Sequence, residues 1–278
     1  MLSFENRSAP FIDVFRRSAS SHGYDLLLVP PPVDDPAFER FRSLYRHLSI
    51  NPEGFELACF QRYFAAQALT APDERVVMAD TDLMIATAFR DLPGELQDFD
   101  RGLVGSVGVR NGEAEADISP HFSIWTGRLL RQFCEFLIET YRSHQDRLAM
   151  IHSARAAYTD RVAISDMTLL NLWVSDAGIP FLNSNALFDG VHIDHNISVT
   201  ECSSHRFRQF LGRKALRLSG NRISFVMESN EMIDAAVIHL QGRYKLGAGA
   251  LAQRRMMNFR LISTYIAIGR IARGVISK

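Results

Sequence analysis

Apolar and polar positions along the chain shift between a period of two and a period near 3.6. Leu2 to Phe4 reads as a short strand, Pro10 to Ser20 as a helix with Phe11, Val14 and Phe15 inward, and Tyr24 to Val29 as an apolar strand. This is a β-α-β opening. Glu5 to Ala9 then lie past the C-terminal end of the first strand, the edge where open α/β sheets take their ligands. Pro30-Pro31-Pro32 closes the second strand, and a helix is expected from Pro36 to Leu48. Asn51-Pro52-Glu53 has the form of an N-cap with proline at the first helical position, opening a helix over Gly54 to Leu69.

That helix carries Phe55, Ala58, Cys59, Phe60, Tyr63 and Phe64 and is expected to be largely buried. Glu56 and Arg62 stand out in it, because charged residues are seldom buried without a partner. Either one of them reaches a ligand, or they belong to an exposed stripe or a structural salt bridge. Arg75 to Ala79 is a strand-like run that stops at Asp80-Thr81-Asp82 before Leu83, Met84 and Ile85 resume the apolar pattern. Leu103 to Val109 predicts a strand, Arg110 to Ser119 a polar loop, and His121 to Trp125 a strand. Thr126 is placed to cap a helix from Gly127 to about Arg142, and Ser165 another that starts at Asp166 and ends near Gly178. Leu216 to Val226 reads as a hairpin and Ala235 to Leu240 as a last strand. Strands and helices alternate through most of the chain, which points to α/β architecture.

The 278 residues, 47% of them hydrophobic, can bury a sizeable core. Cys59, Cys134 and Cys202 are odd in number, widely spaced and without a C-x-x-C pair, so neither a disulfide framework nor a zinc knuckle is indicated. A reducing cytoplasm is the expected setting. The first residues contain no apolar signal core, and no run approaches the roughly 20 apolar residues that span a bilayer.

The net charge of zero conceals an asymmetry: from Ala235 onward there are eight basic residues and no acidic one, so the preceding part carries eight more acids than bases. An anionic partner at the C-terminal end, phosphate or membrane lipid, follows from that distribution; nucleic acid is not expected. Residues 254–278 mix arginines with Met256, Phe259, Leu261, Ile262, Tyr265 and Ile266. Such a segment suits a basic amphipathic helix lying on the inner face of an anionic membrane, and equally a helix packed on the body or on another subunit. Oligomeric state has no signature.

Chemistry enters with Asp80-Thr81-Asp82. Alternate residues at a strand end point the same way, so the two carboxylates can aim at one cation. Hard oxygen ligands suit magnesium or manganese, ions often held by one or two carboxylates and completed by substrate phosphates. D-x-D alone also describes an acidic turn. At the far end, His239-Leu240-Gln241-Gly242-Arg243-Tyr244-Lys245 contains the complement: an imidazole for the cation, a glycine that lets backbone approach phosphate, and a lysine that neutralises phosphate oxygens.

Asp80-x-Asp82 after an apolar strand, followed near the end by His239-x-x-Gly242-x-x-Lys245, resembles nucleotide-sugar glycosyltransferases of the GT-A fold. The similarity is to the group containing glycogenin and the bacterial lipopolysaccharide galactosyltransferases. The resemblance implies an α/β, Rossmann-like mixed sheet flanked by helices over residues 1–249, with a basic helical extension over 250–278. It implies Asp80, Asp82 and His239 as ligands of manganese or magnesium, and Gly242 and Lys245 as diphosphate contacts. Ser165-Asp166-x-x-x-x-Asn171 partly matches the group's D-Q-D-x-L-N element, which makes Asp166 and Asn171 reaction-centre candidates; Met167 and Thr168 depart from that pattern. By position, Asn6 and Ser8 are placed to touch the base or ribose, and Arg62 to reach the donor. The implied activity is hexosyl transfer from a UDP-sugar to a hydroxyl of a glycan or glycolipid, in surface polysaccharide or glycolipid synthesis. Two rivals stand beside it: a metal-dependent phosphoesterase built on His192, Asp194 and His195 with His205 beyond, and a GT-A-like scaffold that binds glycan without turnover.

Overall fold

The computed structural model describes residues 1–5, 7–30, 35–110, 113–202, 205–219 and 222–252. The first half of the chain runs β1 (Leu2–Phe4), α1 (Pro10–Ser21), β2 (Leu27–Val29), α2 (Pro36–Leu44), α3 (Glu53–Leu69), β3 (Arg75–Ala79), β4 (Leu83–Ile85) and α4 (Gly94–Gln97). The strands β5 (Leu103–Arg110) and β6 (Glu113–Thr126) lead into α5 (Gly127–Ser143), α6 (Gln145–Ala156) and α7 (Asp166–Asp176). The remainder is strand-rich: β7 (Phe181–Asn183), β8 (Leu187–Phe188), β9 (Val191–Ile193), β10 (Gln209–Phe210), β11 (Arg213–Lys214), β12 (Leu216–Ser219), β13 (Arg222–Val226) and β14 (Met232–His239), then α8 (Ala248–Ala252).

A mixed six-stranded sheet in the order β2-β1-β3-β6-β5-β7 forms the centre. β1 lies parallel to β2 and β3, whereas β3 and β5 both run antiparallel to β6. The aromatic side chains of α2, α3, α5 and α7, among them Phe41, Phe60, Tyr63, Phe133, Tyr141 and Trp173, pack with Trp125 of β6 into one continuous core. A second sheet in the order β12-β13-β14-β9-β8, with β4 paired to the C-terminal end of β14, packs through Leu83, Ile85, Phe188, Ile193 and Val237 against Val77, Val104, Phe122 and Ile124 of the first. Among the described residues no helix is long and apolar enough to cross a membrane.

Most expected elements occur, and the departures have local causes. The helix expected from Pro36 to Leu48 ends at Leu44, because Tyr45 is extended. Asn51 does not cap α3: the cap position is Pro52, and the Asn51 side chain instead donates to Glu56 Oε1 at 2.8 Å. Of the loop expected over Arg110 to Ser119, Arg110 ends β5 and Glu113 to Ser119 begin β6, the two paired through Val109↔Ala114 and Arg110↔Glu113. The acidic residues there concealed the strand. α6 has no counterpart in the sequence reading because only Leu148 of its twelve residues is buried, too little for an apolar stripe to register.

Candidate metal and diphosphate site

Two pairings bring the distant motifs together. Asp80 continues β3 for one more backbone bond, its N–H donating to His121 O at 2.8 Å, and the chain then turns back as β4. β4 pairs antiparallel with β14 in a register that sets His239 opposite Leu83, and Leu240 N–H donates to Asp82 O at 3.0 Å. The end of β14 is thereby fixed beside the aspartate turn, although about 160 residues separate them.

Side chains converge as the backbone does. One ligand atom each from Asp80, Asp82 and His239 lies within 4.8 Å of the others, a group of two carboxylates and an imidazole. His239 Nε2 is 3.3 Å from Asp82 Oδ1, and Lys245 Nζ is 3.0 Å from Asp82 Oδ2. Asp82 and His239 are buried, while the Asp80 side chain is 37% exposed, so the group opens to solvent on the Asp80 side. This donor set fits a hard divalent ion that keeps open positions for substrate oxygens.

The electrostatics follow from mutual proximity. Burial alone would push the Asp82 carboxyl up; the His239 hydrogen bond and the charges of His239 and Lys245 override it and hold Asp82 far below its usual range. His239 is the mirror case, with burial working to lower it and Asp82 raising it above its ordinary value. Partial loss of water around the Asp80 carboxyl pushes it up, Arg62 opposes that, and the charge of Asp82 adds to the rise.

No family model matches the sequence. No curated protein matches it. Among solved structures the chain is similar to mouse xyloside xylosyltransferase 1 in its apo form, at 11% identity and a TM-score of 0.47, over 66% of this chain and 83% of that one. It is similar also to a glycosyltransferase involved in glycosylation of the major capsid of PBCV-1, at 10% identity and a TM-score of 0.41, over 91% of this chain and 97% of that one. Likenesses of this size transfer no residue role, and the site is read from its own geometry.

Around the triad, Arg62 is a bridge. Its Nη1 is 2.8 Å from Asp80 Oδ1 and its Nη2 is 2.5 Å from Asp166 Oδ2, which also accepts from Tyr63 Oη at 2.9 Å. The guanidinium is thus held between two carboxylates of the site. Its companion Glu56 is structural, accepting from Ser49 Oγ at 2.6 Å and from Asn51. Asp166 lies buried in the first turn of α7, with Ser165 at the N-cap position making no side-chain capping bond. Asn171 does not join it. Five residues on, at 100° per residue, it is turned about 140° around the helix and is half-buried. Thr168, in the place of the expected second aspartate, accepts from Arg155 Nη1 at 3.0 Å, and Arg155 also pairs with Asp117 at 2.7 Å.

Gly242 has φ +63° with nothing within 4 Å of the position a Cβ would take, so glycine is there for the left-handed backbone that starts the turn carrying Lys245. Ser8 is exposed in the loop after β1, and Asn6 lies outside the described residues. Two residues that the sequence reading did not single out belong to this edge. Glu5 accepts from Thr81 Oγ1 at 3.0 Å and forms a bidentate pair with Arg7 at 2.7 and 2.8 Å, tying the loop after β1 to the aspartate turn. Burial pushes the Glu5 carboxyl up, and Arg7 outweighs it and brings the group to about 2.

His192, Asp194 and His195 form no separate metal group; among the described residues Asp80, Asp82 and His239 are the only such cluster. The Asp194 carboxylate is taken by Lys214 Nζ at 2.5 Å and by His239 N–H at 3.0 Å, and His192 Nε2 faces the same ammonium at 3.5 Å. A resident lysine at the centre repels a cation, and His205 is exposed beyond it.

Proposed function

We propose that this chain is a metal-dependent glycosyltransferase that moves a sugar from a nucleoside-diphosphate donor to a hydroxyl acceptor. The observation that carries the reading is the convergence of Asp80, Asp82 and His239 on one point with Lys245 beside them. Asp80, Asp82 and His239 would hold manganese or magnesium, which when bound supplies positive charge for a departing diphosphate. Lys245 places a second positive charge at the same edge, and the Gly242 turn brings backbone there without a side chain in the way. Asp166, held by Arg62 and Tyr63, is the carboxyl available to position the acceptor hydroxyl, and in an inverting reaction to take its proton. Ser8 and Asn6 sit by sequence where the loop after β1 meets this edge. Their proposed partner is the base or ribose.

The donor proposed is a UDP-sugar and the acceptor a glycan or glycolipid, in surface polysaccharide synthesis at the inner face of the membrane. This extension is supported by the motif resemblance and by the basic, apolar sequence of residues 254–278, which lie outside the described residues. The deciding experiment is thermal unfolding with a panel of nucleotide sugars, with and without manganese, on the native chain and on Asp82→Ala. A donor-specific, manganese-dependent rise in Tm that Asp82→Ala loses while still folding is the expected result. An identical rise in Asp82→Ala, or no rise with any donor, refutes the proposal.

A further inference from the structure

We infer that Asp194, anchored by Lys214, is a positioning residue that fixes the orientation and tautomer of His239; the inference rests on the metal site proposed above. β9 and β14 pair in parallel. Asp194 N–H donates to Val237 O at 3.0 Å, as a regular parallel ladder requires once Val237 is paired with Ile193. Two residues further, the same ladder would send His239 N–H to the main-chain carbonyl of Asp194 and would let His239 O accept from residue 196. Neither bond forms. His239 N–H goes to the side chain, Asp194 Oδ2, at 3.0 Å, and His239 O accepts from Ile197 N–H at 3.1 Å.

This substitution frees the Asp194 carbonyl, and both it and the next carbonyl, of His195, which the ladder does not use, find an imidazole. The Asp194 carbonyl is 3.0 Å from His121 Nε2, and the His195 carbonyl is 2.6 Å from His239 Nδ1. A carbonyl only accepts, so His121 carries its proton on Nε2 and His239 carries one on Nδ1. His239 therefore presents Nε2 to Asp82, the nitrogen needed for a ligand, and His121 stacks on its ring at 4.6 Å between centroids with a 9° interplanar angle. Ser119 Oγ, 3.1 Å from His121 Nδ1, supplies the donor that a neutral His121 needs on that side.

A carboxylate used as a ladder acceptor has to be neutralised where no water reaches. Lys214 does this from β11, its Nζ at 2.5 Å from Asp194 Oδ1, with both side chains at 0% exposure. The ammonium is framed by the rings of Phe207 and Phe225 at 4.8 and 5.5 Å. The pair thus connects the strand-rich C-terminal half to a ligand of the site without touching the ligand's coordinating nitrogen. Outer contacts that hold a metal-bound histidine typically alter metal affinity 10–100-fold when removed.

Two double variants separate positioning from simple stability, because each removes both buried charges. Asp194→Asn/Lys214→Met retains an oxygen acceptor for the His239 amide, whereas Asp194→Leu/Lys214→Met removes it. Titration calorimetry with manganese alone is expected to show near-native affinity for the first and a loss of about 10–100-fold for the second. A merely structural pair would lower Tm in both and leave manganese affinity unchanged, and equal affinities would overturn the inference. If Asp82→Ala also binds manganese like the native chain, the failure lies with the metal site itself rather than with Asp194. A measurement on the unaltered, metal-free protein needs no variant to fold: nitrogen-15 histidine spectra should show His121 as the Nε2–H tautomer and His239 protonated at Nδ1. His121 protonated at Nδ1 instead would overturn the carbonyl exchange.

Discussion

Two lysine–aspartate pairs lie on either side of His239, and they differ in one respect. Lys214 and Asp194 are 2.5 Å apart with neither side chain exposed, while Lys245 and Asp82 are 3.0 Å apart with side-chain exposures of 31% and 10%. The closed pair has all its partners within the protein: two backbone groups, one imidazole and two aromatic rings. The open pair faces the edge where Asp80 is exposed, and its lysine can exchange Asp82 for another anion. Enclosure makes an ion pair a fixed part of the frame, and partial exposure leaves it free for chemistry.

The largest effect is expected from Lys214→Met. It leaves the Asp194 charge enclosed and unpaired, for which a stability loss of about 3–5 kcal/mol is expected, measured by urea unfolding. A loss under about 1 kcal/mol would show that water or another cation reaches Asp194, and the closed pair would no longer be distinct. Lys245→Ala is expected to behave oppositely, leaving unfolding nearly unchanged and reducing transfer turnover by about 10²–10³-fold, the scale for removal of one charge-stabilising donor. Comparable losses of stability in the two lysine variants would erase the distinction.

Gly242→Ala addresses the turn beneath the open pair. Nothing blocks a methyl group there, so the expected cost is the left-handed backbone alone, about 1–2 kcal/mol, with donor binding weakened through displaced Lys245. The smallest effect concerns protons. His239 is raised above its ordinary value, so its contribution to the metal-free fold is complete below about pH 6.5 and is lost as pH climbs through the raised value. A metal requires the unprotonated Nε2 and pulls the other way, so manganese affinity is expected to rise with pH across that window. Calorimetry in buffers of different ionisation enthalpy should detect up to about one proton released per ion.

Much of the site was legible because its chemistry is local. Asp80 and Asp82 share a strand end, and His239, Gly242 and Lys245 share a strand end and the turn that follows it; in both segments the apolar run stops where the functional residues start. Arg62 was conspicuous as a charge on an apolar helix, but its destination was not readable, because pairing with Asp80 and Asp166 depends on how α3 packs against α7. The place of Asn171 was not readable for a geometric reason, since a match in linear spacing says nothing about which face of α7 a residue occupies. His121 gave no signal at all. An imidazole inside an apolar strand looks like any other buried histidine until the ring it stacks on is known.

The amino-acid sequence alone set the α/β alternation, the cap of α5, and the two segments whose side chains meet at the proposed metal and diphosphate site, because periodicity, capping and short motifs act over a few residues. It also held the signals of His192, Asp194 and His195, and these suggested a rival cation site. Only the tertiary structure decided otherwise. Whether a carboxylate awaits a cation or already has one depends on which lysine the fold sets within 2.5 Å of it, and Lys214 reaches Asp194 from β11, twenty residues away. The β4–β14 register likewise decided that the two motifs form one site, since long-range strand pairing is fixed by the packing of two whole sheets rather than by residues near either motif.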